Sequence, residues 1–213
     1  MNFQKEYWRR ARVVAFWLQL APFVRMIGLN GSLARGAAKK TSDIDFFIVI
    51  KKNRIWTGRM LVSFMVELSG YRRTDKKIAG MICLNRYQTD DYLEIFPHNQ
   101  YHAWDYCGLM PLVDIANTYQ QYLDKNRWTQ KLGHPMRENR RMLSPSHFLS
   151  FLRNLSEKIL GGDLGDWVEK ILRRYQRRRI LSDKRTMMAP KGKIRISDRE
   201  LCFHPAKRVD KLS

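Results

Sequence analysis

Gly28-Leu-Asn-Gly-Ser-Leu-Ala-Arg-Gly-Ala-Ala-Lys-Lys-Thr-Ser-Asp-Ile-Asp-Phe-Phe-Ile-Val-Ile50 is the stretch whose reading decides the fold of this chain. The apolar run Phe23 to Leu29 has strand length, and Asn30-Gly31-Ser32 breaks it just before Leu33 to Ala38, which can open a short helix. Backbone N–H groups and the helix dipole at such a turn form a cradle for phosphate. Gly31 lets the backbone approach the anion, and the Ser32 hydroxyl adds a donor. Ten intervening residues then lead to Asp43-Ile44-Asp45, at the head of the strongest strand in the chain, Ile44 to Ile50. Side chains alternate across a strand, so Asp43 and Asp45 share one face while Ile44 and Phe46 take the other. Two carboxylates this close repel each other unless a cation sits between them, and hard oxygen ligands suit Mg²⁺. A phosphate cradle beside such a pair is the equipment of phosphoryl or nucleotidyl transfer. Read blandly, these are polar residues at a surface turn, but their coincidence between two strands outweighs that reading. Gly31 and Gly36 have the spacing of a Walker A loop, yet Ala37 stands where the lysine must be, which excludes a P-loop.

Outward from this segment, apolar residues at helical spacing predict a helix over 6–20, ended by Pro22, and another over 55–68, closed by Ser69-Gly70. A third strand is expected over 78–87 and helix over 101–132 with an interruption at Pro111. Ser144-Pro145-Ser146 opens a further helix that Gly161-Gly162 stops, a long basic helix spans 163–181, and a small strand is expected over 193–196. The aromatics of 101–128 fall at helical spacing and read as core rather than as a base-stacking surface.

The 213 residues carry 40 Lys plus Arg against 20 Asp plus Glu, a net charge of +20, with 44% hydrophobic residues. That much apolar material excludes a disordered basic tail protein. Residues 170–213 hold 15 basic and 4 acidic groups, so +11 of the excess sits in the last fifth of the chain. Such a field attracts polyanions, and RNA or another nucleic acid is the expected partner of this basic region. No run is long and apolar enough to span a membrane, no membrane association is expected, and the N-terminus lacks the pattern of a signal peptide. Cys83, Cys107 and Cys202 are scattered and odd in number, which argues against disulfides or structural zinc and fits a cytoplasmic location.

Gly31-Ser32, ten residues, then Asp43-x-Asp45 entering a hydrophobic strand resembles the polymerase-β-type nucleotidyltransferase superfamily, and the context Ser32-Leu-Ala-Arg-Gly36 is similar to its small bacterial members. The resemblance implies an α/β (α+β) fold, a small mixed sheet flanked by helices, followed by a mainly helical C-terminal region. The expected division is a catalytic domain over 1–97, a helical region over 98–181 and a basic tail over 182–213. The resemblance also implies transfer of a nucleoside monophosphate from a nucleoside triphosphate to an acceptor hydroxyl, with release of pyrophosphate. Asp43 and Asp45 would be the catalytic, metal-holding pair for one or two Mg²⁺ ions, with Mn²⁺ able to substitute. Gly31, Ser32 and Arg35 would bind the phosphates. Many members add a third carboxylate from the following strand. Here that strand offers Cys83 and Asn85 on one face, with Asp75, Asp90, Asp91 and Glu94 nearby in sequence. The missing acid keeps two other readings open, a non-catalytic nucleotide-binding regulator of antitoxin type and a nucleic-acid-binding module on an inactive core.

Overall fold

The computed structural model describes residues 3–138, 142–189 and 194–203. Helix α1 (Phe3–Leu18) is followed by β1 (Val24–Asn30), the short α2 (Gly31–Ala34), β2 (Ile44–Ile50), α3 (Ile55–Leu68) and β3 (Ile82–Thr89). Then come α4 (Gln100–Tyr106), β4 (Met110–Asp114), α5 (Thr118–Lys125) and a 3₁₀ turn (Arg127–Leu132). The chain continues through α6 (His147–Ile159), α7 (Gly162–Leu181), α8 (Lys184–Met187), β5 (Ile194–Ile196) and β6 (Glu200–Phe203). The strands form one mixed sheet in the order β4-β1-β2-β3-β6-β5. Only β2 and β3 run parallel, with α3 as their crossover; every other neighbouring pair is antiparallel. This is the α/β fold class expected, with helices α6 and α7 dominating the C-terminal region.

The alternation of β2 explains the layering. Ile44, Phe46, Ile48 and Ile50 join the core beneath α1 and α3, while Phe47 and Val49 join a second core beneath α4 and α5. Both faces of this strand are covered, which is why it reads as an unbroken apolar run. The second core is aromatic, built on Tyr106, Tyr119 and Tyr122 around Phe47, as the spacing of that region predicts. Asn126 closes it from below: fully buried, it accepts from the Ile95 N–H at 2.8 Å and donates to the carbonyls of Leu93 and Tyr122.

Two expectations are corrected. The stretch 101–132 is not helix with a break, because Met110–Asp114 is a strand at the sheet edge; Pro111 is tolerated there since an edge position leaves one side of the backbone unpaired. The third strand starts at Ile82 rather than 78, after a turn in which Gly80 adopts a positive φ against the Tyr7 ring. At the C-terminus the strand at 194–196 is present, with Lys193 outside the described residues, and β6 joins it to β3. The boundary expected at residue 97 falls between β3 and α4, and the strands beyond it complete the same sheet.

Helix α7 is fastened to α3 through polar contacts. Glu169 accepts from the backbone N–H of Trp56 at 2.9 Å and of Thr57 at 2.8 Å, and from the Thr57 hydroxyl at 2.6 Å, so it caps the start of α3 from a distant segment. Gln176 donates to the Trp56 carbonyl at 2.7 Å. Glu169→Ala therefore strands two buried N–H groups and should lower the unfolding free energy by about 2–3 kcal/mol. Urea unfolding measures it, with Glu169→Gln losing less because the amide oxygen still accepts.

Candidate active site

The turn after β1 and the head of β2 meet because the two strands are antiparallel neighbours, with Asn30 opposite Asp45. Gly31 sits there with φ +72°, and a Cβ built on it would lie 2.2 Å from Asp45 Oδ2. Glycine is required twice over, for the left-handed backbone and for the carboxylate pressed against it. Asp45 Oδ1 accepts from Asn85 Nδ2 at 3.0 Å. Parallel pairing of β2 with β3 sets Cys83 beside Asp45. Ligand atoms of Asp43, Asp45 and Cys83 all lie within 4.8 Å of one another, and all three residues are buried. A surface turn would leave the aspartates in water; they are instead 7% and 5% exposed.

Arg73 balances this buried charge. The segment before β3 runs alongside its start, with the Arg73 N–H bonded to the Ile82 carbonyl, and the guanidinium reaches Asp43 Oδ2 at 3.2 Å and Cys83 Sγ at 3.3 Å. The sequence held only a weak signal for it, a basic pair in a polar loop. Burial, and then the charges of Asp45 and Asp43, push the Cys83 thiol up to about 12 against the opposing pull of Arg73. Cys83 is therefore a neutral thiol at physiological pH, occupying the place where a third carboxylate was sought.

None of the acids proposed for that place reaches it. Asp90 and Asp91 follow the far end of β3, at about 3.3 Å per residue roughly 20 Å from Cys83. There Asp90 accepts from the Lys52 N–H, and Asp91 pairs with Lys52 at 3.0 Å and with the Thr89 hydroxyl. Glu94 pairs with His98, and Asp75 is exposed in its loop. The buried acid that sequence reading did not single out is Asp105 on α4, which takes Arg35 Nη1 at 3.1 Å and lies 3.4 Å from Asn30 Nδ2. Arg35 thus leans on α4, its guanidinium 4.0 Å from the centre of the Trp104 ring, while half-buried Ser32 stays on the turn beside Gly31.

A glycine turn packed on a buried Asp-x-Asp pair, in a mixed sheet between helices, is consistent with a nucleotidyltransferase fold. Residues 10–100 match the family model described as a nucleotidyltransferase domain, in line with the resemblance to the polymerase-β-type superfamily. No curated protein and no solved structure matches the chain. That family's general chemistry is nucleotidyl transfer, and the match supports a transferase assignment. Among the described residues no helix is long and apolar enough to cross a membrane.

The thiol offers a direct check of this geometry. Its folded value of about 12 lies above the ordinary 9.0, so its contribution to stability is whole below pH 9 and is lost as the pH climbs from there toward 12. Alkylation of the folded protein followed by mass spectrometry should leave Cys83 unmodified at pH 9. Asp45→Asn should lower the pH at which it reacts, since one of the charges raising it is gone.

Proposed function

We propose that the protein transfers a nucleoside monophosphate from a nucleoside triphosphate to an acceptor hydroxyl, with Asp43 and Asp45 holding the required divalent ion. The observation that supports this reading is the contact of the Gly31 turn with Asp45, because the turn expected to bind phosphate and the carboxylate pair then lie at one point. The donor set fits such an ion: two hard carboxylates suit Mg²⁺, and Mn²⁺ can substitute because it takes the same oxygen ligands. When bound, the ion would neutralise phosphate charge and acidify the attacking hydroxyl. Gly31 and Ser32 would hold the triphosphate. Arg35 would act from its place against Asp105 and Trp104, orienting the turn and adding positive charge. In the transfer the acceptor oxygen bonds to the α-phosphorus as the bond to the pyrophosphate oxygen breaks. The hydroxyl proton passes to an aspartate or to water, because Cys83, already protonated, takes none.

On this reading residues 1–97 carry the chemistry, residues 98–181 flank the site and position the acceptor, and residues 182–213 are the basic segment whose β5 and β6 complete the sheet. The acceptor we favour is RNA or another nucleic acid, on the support of the positive side of α7, where Lys170, Arg173, Arg174 and Arg177 line one concavity. A second reading, a nucleotide-binding regulator without activity, draws on the neutral Cys83 and on Arg73 already paired with Asp43.

The deciding experiment incubates the protein with Mg²⁺ or Mn²⁺ and each α-labelled nucleoside triphosphate, offering total RNA and cell lysate as acceptors. Label transfer is expected from the native protein, and Asp43→Ala with Asp45→Ala should reduce it by 10²–10³-fold or more, on the order of losing a charge-stabilising group. Metal-dependent nucleotide binding without transfer would establish the regulatory reading instead. In the same assay Cys83→Asp supplies the third acid and should tighten Mg²⁺ binding by about tenfold, on the scale of ligand-sphere changes, as followed by calorimetry.

A further inference from the structure

Helices α6 and α7 each leave a row of large apolar side chains in water. On α6 the row is Phe148, Phe151, Leu155 and Ile159; on α7 it is Leu164, Trp167, Ile171 and Tyr175, both at spacings of three and four. Phe148 is 68% exposed, Phe151 64% and Trp167 61%. The row on α7 does not hold the helix in place, since Glu169 and Gln176 dock its other side on α3. Monomeric proteins rarely leave so large an apolar surface open.

We propose that α7 pairs antiparallel with α7 of a second copy of this chain, about a two-fold axis at Ile171. The row is symmetric about that residue: Trp167 lies four positions before it and Tyr175 four after. An antiparallel pair sets Ile171 on its own copy and each Trp167 on a Tyr175, as an isologous interface demands. The flanking charges agree. Asp163 lies eight positions before Ile171, and Arg178 and Arg179 lie seven and eight after, so the antiparallel arrangement brings acid to base at both ends. Parallel pairing would stack arginine on arginine. Lys170, Arg173 and Arg177 fall in another sector of the helix and stay outside the seam. At roughly 150–250 Å² for a large aromatic, and somewhat less for Leu and Ile, the exposed parts of the four α7 side chains come to about 400 Å² per subunit. A standard interface buries about 800 Å² per partner, so this small seam makes a concentration-dependent dimer.

Nuclease-treated full-length protein should sediment as a dimer at about 100 μM, of roughly twice the 25.4 kDa chain mass. The dimer should persist or tighten as salt is raised, because two chains of net charge +20 repel while the seam is apolar. Ile171→Asp should give a monomer with unchanged circular dichroism. The native cysteines are buried, so an engineered one is the reactive thiol: Ile171→Cys should form a disulfide-linked dimer on mild oxidation. Leu164→Cys should not, since its two copies would lie about 20 Å apart along the seam. A native monomer at that concentration overturns the proposal. So does a dimer indifferent to Ile171→Asp, a Leu164→Cys dimer forming as readily as the Ile171→Cys one, or an oligomer that salt or nuclease dissolves. A chain that stays monomeric and binds anionic vesicles through the same row overturns it too.

Discussion

Asp45 can stand where it does only because residue 31 has no side chain. The carboxylate occupies the volume a Cβ would fill, and the positive φ at that position turns the chain from β1 into α2. These are one constraint seen from two strands: antiparallel pairing of β1 with β2 sets the register, and the register sets the carboxylate against the turn. Everything else near the site is arranged around charge that this packing has buried. Asn85 gives Asp45 a hydrogen bond, Arg73 gives Asp43 a countercharge, and Cys83 contributes a side chain that stays neutral. Burying two carboxylates together without such partners would cost several kcal/mol per charge.

How much of this was legible in the sequence depended on the distance over which each feature is encoded. Gly31, Ser32, Asp43 and Asp45 lie within one short segment, and strand alternation alone puts the two aspartates on one face. That segment carried the family resemblance and the fold class. Cys83 and Asn85 were legible as a face of the next strand, because period 2 holds there too, but that Cys83 takes the place of an acid needs the register of β3 against β2. Arg73 and Asp105 were not legible: each acts across a tertiary contact from a stretch whose local pattern is that of an ordinary loop or helix. The strand at Met110–Asp114 was missed for a related reason. Four or five apolar residues carry no usable period, and the proline that argues against a strand is harmless at an edge. Glu169 gains its role only when α7 lies over the start of α3.

The C-terminal residues bear on the site through β3. On one side this strand meets β2 and the aspartates; on the other it meets β6, where Arg86, itself 1% exposed, pairs with Glu200 at 2.6 Å. Glu200 is held in turn by Arg195 from β5 at 2.7 Å. Although burial opposes its charge, the surrounding groups, among them Tyr106, Cys202 and Glu200, keep Arg86 strongly protonated. A permanently charged group thus sits on the strand that carries Cys83, opposite Phe47 where the register resumes after the bulge. Removing Glu200 would leave that charge buried and uncompensated. The last strands of the chain are therefore coupled to the spacing of β2 and β3, and through it to the distance between Cys83 and the aspartates. The basic helix α7, tied to α3 at one side of the same crossover, inherits a fixed position relative to the site. On the proposed reading, a polyanion lying along its arginines would meet the sheet at a set angle, and the positive charge of the C-terminal region would orient that acceptor as well as attract it.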